Sequence, residues 1–261
     1  LLQHAGSVRT SAIDPRRPVR TLAALLRSPA WALGAVVGVT GWALHIGAMR
    51  EAPLSLVQAF VAGGLALAVP MAAVGLGQRL APGERQALAL MVVALALLSL
   101  GLPRDAARAH FEGAALGAWL AGLGVLAGLV AARAPAARRP AALGLAGGLL
   151  YGAADLALKA VTGASSAVSA APWIAAAAVA TMGAFFAFQR GLQTGRALPV
   201  IALMTAATNI GSIAGAFVVL GDRLGRTPQL AALHALAFAL VLVAAWGLAP
   251  AQARLVAPGA T

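Results

Sequence analysis

Asp155 and Lys159 stand one helical turn apart in a run, roughly residues 141–161, that is otherwise almost wholly apolar. Residues at i and i+4 share a helix face. Ionisable groups inside a membrane helix are costly, and they mark substrate paths, proton relays or buried pairs. At 1.5 Å per residue, Asp155 falls ~21 Å from a helix start near Ala141, with Lys159 nearer the far surface. Two roles fit. In one, Asp155 binds a substrate or a proton and Lys159 is its counter-charge. In the other, the two form a local ion pair and the lysine stem carries its ammonium out to water. Asp155 is also the acid placed to ligate a magnesium or other divalent cation within the membrane, since Mg²⁺ keeps several waters and needs only one or two carboxylates. Glu51 and Asp222 sit where they could serve at the outer mouth.

Other polar residues fall at comparable depth. His45 comes late in its apolar run, Gln58 early in the next, His234 near the start of the last, and Asn209 lies mid-run with Thr205 and Thr208. With Asp155 they are expected to line one outward-facing cavity, which Trp42 could also reach. A histidine there can relay protons near neutral pH. The alternative for Thr205, Thr208 and Asn209 is ordinary interhelical hydrogen bonding, worth ~0.6 kcal/mol on average. For His234 it is a place in a helix interface.

Elements able to hold such residues follow from composition. The 261 residues are 61% apolar and 10% charged, with mean hydropathy +0.88; a soluble domain is ~25% charged. That excludes an ordinary water-soluble enzyme and a disordered chain, and makes the lipid bilayer the partner of most of the surface. Eight runs approach the ~20 apolar residues needed to span it: 30–49, 53–76, 86–102, 113–132, 141–161, 170–189, 198–220 and 229–248. Pro29 and Pro53 suit first helical turns, Ser28 is an N-cap, and Pro70 is expected to kink the second span. Residues 1–7 read as the end of a preceding helix, which would make nine spans. The pairs Gly34/Gly38, Gly124/Gly128, Gly144/Gly148 and Gly211/Gly215 put small residues on one face, a signal of close helix packing. Gly63–Gly64 and Gly147–Gly148 are possible hinges.

The chain carries 19 basic and 7 acidic residues, net +12. The basic residues lie in short gaps between apolar runs and form no stripe with interleaved aromatics, which argues against a nucleic-acid partner. They also orient the chain. Arg9, Arg16, Arg17, Arg20, Arg27, Arg79, Arg85, Arg133, Arg138, Arg139, Arg190, Arg196 and Arg254 fall on one side, expected to be cytoplasmic together with the C-terminus. Arg50, Arg104, Arg108, Arg223 and Arg226, with Lys159, fall on the other, offset by Glu51, Asp105, Glu112 and Asp222. The expected setting is a plasma membrane, its Ala, Gly and Arg usage fitting a GC-rich bacterial genome. There are no cysteines, so disulfides and thiol chemistry are excluded. No nucleotide-binding loop or zinc-ligand spacing occurs, and Ser165, Ser166 and Ser169 have no nearby His–Asp partner. No cofactor and no enzymatic activity are expected.

An offset of 144 residues aligns the two halves, matching Gly47 with Gly191, Leu54 with Leu198, and Gly77-Gln78-Arg79-Leu80 with Gly221-Asp222-Arg223-Leu224. Five spans lie between the copies, so they run in opposite senses, the inverted repeat found in secondary transporters. The expected organisation is 1–28 as the end of a truncated first helix plus a basic loop, 29–138 as the first repeat half, 139–250 as the second and 251–261 as a cytoplasmic tail. The stretch Trp31-Ala32-Leu33-Gly34, Gly41, Ala52-Pro53-Leu54-Ser55-Leu56-Val57-Gln58 and Gly77-Gln78-Arg79-Leu80 resembles the first repeat of the drug/metabolite transporter (EamA-like) superfamily. Phe188-Gln189-Arg190-Gly191-Leu192, Leu198-Pro199-Val200 and Gly221-Asp222-Arg223-Leu224 resemble its second. The glutamate usual after the third helix is Gln78 here and Asp222 in the other copy. The nine-span count is similar to the NIPA-type magnesium transporter branch. The resemblance implies an all-α integral membrane protein, an inverted-repeat bundle that moves a small metabolite or drug-like solute by alternating access, possible as a homodimer. A magnesium transporter and a non-transporting membrane scaffold are the alternatives.

Overall fold

The computed structural model describes residues 26–75, 79–100, 111–195, 197–223 and 225–256. Expectations resting on residues 1–25, including Arg9, Arg16, Arg17 and Arg20, lie outside the described residues, as do those on Gly77, Gln78, Arg104, Asp105, Arg108, Arg196 and Leu224 and on the tail beyond Val256.

The described chain is helical throughout: α1 Pro29–Glu51, α2 Leu54–Gly63, α3 Leu65–Gly75, α4 Pro82–Ser99, α5 Gly113–Arg133, α6 Arg139–Gly163, α7 Ala167–Thr194, α8 Ala197–Val218 and α9 Pro228–Val256, with one 3₁₀ turn at Ala136–Arg138. Seven of them (α1 and α4 to α9) are long and apolar enough to cross a membrane. Large apolar side chains such as Val36, Leu67, Val74, Val168 and Val179 stand outward, as lipid requires and water does not permit. This is an all-α, membrane-embedded protein.

Several helix ends move outward from their expected places because local capping extends them. Helix α4 starts at Pro82, with Pro in the first turn and the Glu84 carboxylate accepting the Ala81 N–H at 2.8 Å. Helix α7 starts at Ala167 because Ser166 and Ser169 cap each other reciprocally. The expected second span, 53–76, is not one helix. It breaks into α2 and α3 at Gly64, where two tight i to i+3 bonds replace the helical ladder. Pro70 lies inside α3 and is not the break. Gly63, just before the break, lies against α4: a Cβ there would stand 2.5 Å from Leu95 Cδ1.

Two apolar clusters form, and the first departs from chain order. Met91, Ala94 and Leu98 of α4 pack with Val69 of α3 and Ala237, Val241 and Ala244 of α9. Leu116 and Leu123 of α5 pack with Leu149 and Leu156 of α6 and Ala207 and Ala216 of α8. The last helix thus joins the early ones, and α5 joins α6 to α8. Helix α2 serves both clusters, Leu56 and Ala59 facing one, Leu54 and Val57 the other.

Helix α6 is the most enclosed, with α5, α7 and α8 around it. Glycines make that possible. A Cβ at Gly144 would stand 2.5 Å from Val200 O of α8, one at Gly148 would overlap the Met204 carbonyl oxygen, and one at Gly152 would lie 3.1 Å from Thr208 O. Gly215 lies against Leu156 and Trp119, while Gly211 leaves 3.8 Å to Leu123. Gly124 and Gly128 depart from the packing expectation, since a Cβ at either meets nothing within 4 Å. Gly38 is exposed and Gly34 half-buried on α1. Spacing places small residues on one face, but only a facing helix makes them a contact.

Candidate functional site

The glycine face of α6 draws α8 inward beside Asp155, and the site is built on that approach. Asp155 takes hydrogen bonds from three other helices. Gln58 Nε2 of α2 donates to Oδ2 at 2.6 Å and Ser212 Oγ of α8 to the same oxygen at 3.3 Å. His45 Nε2 of α1 lies 3.3 Å from Oδ1, a salt bridge when the ring is protonated. Gln58 is fully buried, whereas the His45 and Asp155 side chains keep 15% and 13% of their exposure. The carboxylate is therefore held by its neighbours yet open on one edge. Gln58 Oε1 is buried with no hydrogen-bond partner among the described residues.

One turn along, a second level repeats the pattern with charges on backbone. Lys159 is fully buried and donates to Met49 O at 2.6 Å and to Ala52 O at 2.8 Å. Both expectations for this lysine need correcting. It does not snorkel to water, and its described partners are the final carbonyls of α1 rather than Asp155. Helix ends leave such carbonyls without intrahelical donors, and the short α1–α2 turn lays them over the ammonium. On the other side of that turn, Asp222 Oδ2 accepts the Ser55 N–H at 2.9 Å, at the start of α2. Burial pushes the Asp222 carboxyl above its ordinary value. The Ser55 backbone and side chain, then the Lys159 cation, then the Leu54 backbone N–H, oppose that rise.

Asp222 is aimed by the end of α8. Gly221 adopts φ +69°, and the Asp222 N–H bonds back to Ala216 O at 2.9 Å. Glycine enters that region without the ~1–2 kcal/mol cost of a side chain. Gly221→Ala is expected to lower stability by about that amount, read as a drop in thermal midpoint in detergent micelles; an unchanged midpoint would refute the role given to this turn.

The remaining sequence candidates go elsewhere. His234 does not join Asp155. Its Nε2 lies 2.9 Å from Leu100 O, between α9 and the end of α4, the interface role. Thr208 donates to Met204 O at 2.9 Å and across to Gly148 O at 3.2 Å, tying α8 to α6. Asn209, one turn before Ser212 on α8, has its Oδ1 buried without a hydrogen-bond partner among the described residues. Trp42 lines a cavity of about 730 Å³ with Tyr151, Leu158, Met182, Phe185 and Phe186. Tyr151 and Leu158 flank Asp155 at i−4 and i+3 on α6, and Trp42 precedes His45 by one turn, so the cavity and the polar cluster share neighbouring turns of α1 and α6, although none of His45, Gln58, Asp155 and Ser212 lines the cavity. Ser212 and Ser55 were not legible as site residues. The described residues contain no group of three or more His, Asp or Glu able to hold a metal ion.

Fold and site together define a class, an all-helical membrane protein with an ionisable cluster inside its bundle. No family model matches the chain, and no curated protein and no solved structure matches it.

Proposed function

We propose that the chain is a multi-pass secondary transporter of the drug/metabolite type, moving a small metabolite or drug-like solute by alternating access. The observation that carries this reading is the shared grip on Asp155: a carboxylate in an apolar bundle, held by His45, Gln58 and Ser212 from three other helices and still partly exposed. Charge in such a place is expensive unless it is used. Asp155 and the unpartnered Gln58 Oε1 both accept hydrogen bonds, so they suit a donor-bearing, preferably cationic, head group. The aromatic cavity beside them suits an apolar body. Because the clasp joins α1 and α2 to α6 and α8, a rocking motion between these pairs would open and close it. The arginine distribution supports a cytoplasmic C-terminus.

The test uses the natural lack of cysteine. Single cysteines at positions 45, 58 and 155 are exposed to small hydrophilic thiol reagents in proteoliposomes, beside a solute panel for flux. Labelling at 45 and 58, slowed by a transported solute, is the expected result. No labelling at any of the three and no flux, in protein shown to be folded, would replace this reading with a non-transporting scaffold.

A further inference from the structure

The Lys159–Asp222 level makes no direct contact with the Asp155 carboxylate in the described bonds, yet it governs the two helices that do touch it. Each charge meets the helix end of opposite polarity. The ammonium sits on the carbonyl end of α1 through Met49 and Ala52, and the carboxylate sits on the N–H end of α2 through Ser55. Cations are favoured at helix C-termini and anions at N-termini, and bonds with one charged partner are the strong ones. Both charges belong to the far side of the interface, Lys159 to α6 and Asp222 to the end of α8. The two helix ends they grip meet in one elbow at Ala52–Pro53.

That elbow is coupled to the site by single turns. His45 precedes Met49 by one turn of α1, and Gln58 follows Ser55 by one turn of α2. Asp155 precedes Lys159 by one turn of α6. Lifting the elbow therefore draws His45 and Gln58 from Asp155 together. Helix α2 is also jointed at both ends. Pro53 precedes it, with no N–H to continue a helix from α1, and the Gly63–Gly64 break ends it after 10 residues. It is a short rod between two joints.

We propose that Lys159 and Asp222 form a buried latch on the α1–α2 elbow, and that this elbow is the gate over the Asp155 site at that end of the bundle. The word gate rests on the carrier reading. The latch does not, and its test needs no flux, so either can fail without the other.

The experiment follows thiol labelling at Val57→Cys, a buried position in the first turn of α2, in otherwise cysteine-free full chain in proteoliposomes. Ala184→Cys, fully buried on α7, is the control. Lys159→Met is expected to speed labelling at 57 by roughly tenfold or more, the factor carried by one charge-assisted hydrogen bond, with labelling at 184 unchanged. Asp222→Asn, which keeps the shape and one acceptor, is expected to act in the same direction by less, and it serves if Lys159→Met does not yield folded protein. The exchanged pair Lys159→Asp with Asp222→Lys is expected to stay fast, because each charge would then face the wrong helix end. Unchanged labelling at 57, or equal acceleration at 184, would overturn the latch. Protection restored by the exchanged pair would show a plain ion pair and overturn the helix-end mechanism.

Discussion

Asp155→Asn is expected to cut solute flux by about a hundredfold or more while leaving the protein folded. The substitution keeps the shape and one oxygen, so the Gln58 and Ser212 donors retain an acceptor. What it removes is the charge. Hydrogen bonds to a charged group contribute ~1.5–3 kcal/mol against ~0.5–1.5 for neutral ones. Losing that difference over two contacts to a cationic solute amounts to roughly 3 kcal/mol, two decades in affinity. Flux into proteoliposomes reads the first effect, and the thermal midpoint of the same preparation reads folding. Asp155→Leu separates the two roles of the carboxylate. It leaves the buried Gln58 Nε2 with no acceptor on α6, so it should also lose ~1–3 kcal/mol of stability. Full flux in the Asn variant would remove Asp155 from the mechanism.

How the site could be read in the sequence follows from what depth along a helix does and does not fix. Depth places Asp155, His45 and Gln58 at one level, and the structure joins them. It places His234 and Asn209 at similar levels, but azimuth and neighbour decide contact, and His234 turns to Leu100 instead. Ser212 carries no signature, because a serine among small residues reads as packing. It reaches Asp155 because α8 packs so closely on Gly152 that a Cβ there would lie 3.1 Å from Thr208 O. Lys159 misleads for a deeper reason. Its described partners are backbone carbonyls, which every residue possesses and no sequence displays. The helices were legible because apolar runs of span length have few other uses. The break at Gly64 was half legible: both Gly63–Gly64 and Pro70 invite one, and the chain breaks at the glycines while Pro70 stays inside α3. The pairing of α9 with α4 and of α5 with α6 was not legible, since similar Ala/Leu faces do not name their partners.

The contact on which the site depends most is α6 on α8, and Gly148→Val is expected to break it. Even the first carbon of a side chain at 148 would overlap the Met204 carbonyl oxygen and stand 2.7 Å from Ala207 Cβ. A flexible side chain could move aside; a carbonyl in a helix moves only with its helix. Overpacking of a core costs typically ~1–3 kcal/mol, and here parting the helices also strains the Thr208–Gly148 bond and withdraws Ser212 from Asp155. A loss of at least ~3 kcal/mol is expected, a large share of the ~5–15 kcal/mol that holds a typical native protein together. Gly148→Ala should already show a large part of it. Gly128→Ala is the matched control on α5, where a Cβ meets open space. Its only consequence is helix propensity, a gain of up to ~1 kcal/mol. Thermal midpoints of the three variants should therefore move in opposite directions from wild type. If Gly148→Ala melts with wild type, α6 and α8 do not approach as closely as the site requires, and the grip of Ser212 on Asp155 falls with that contact.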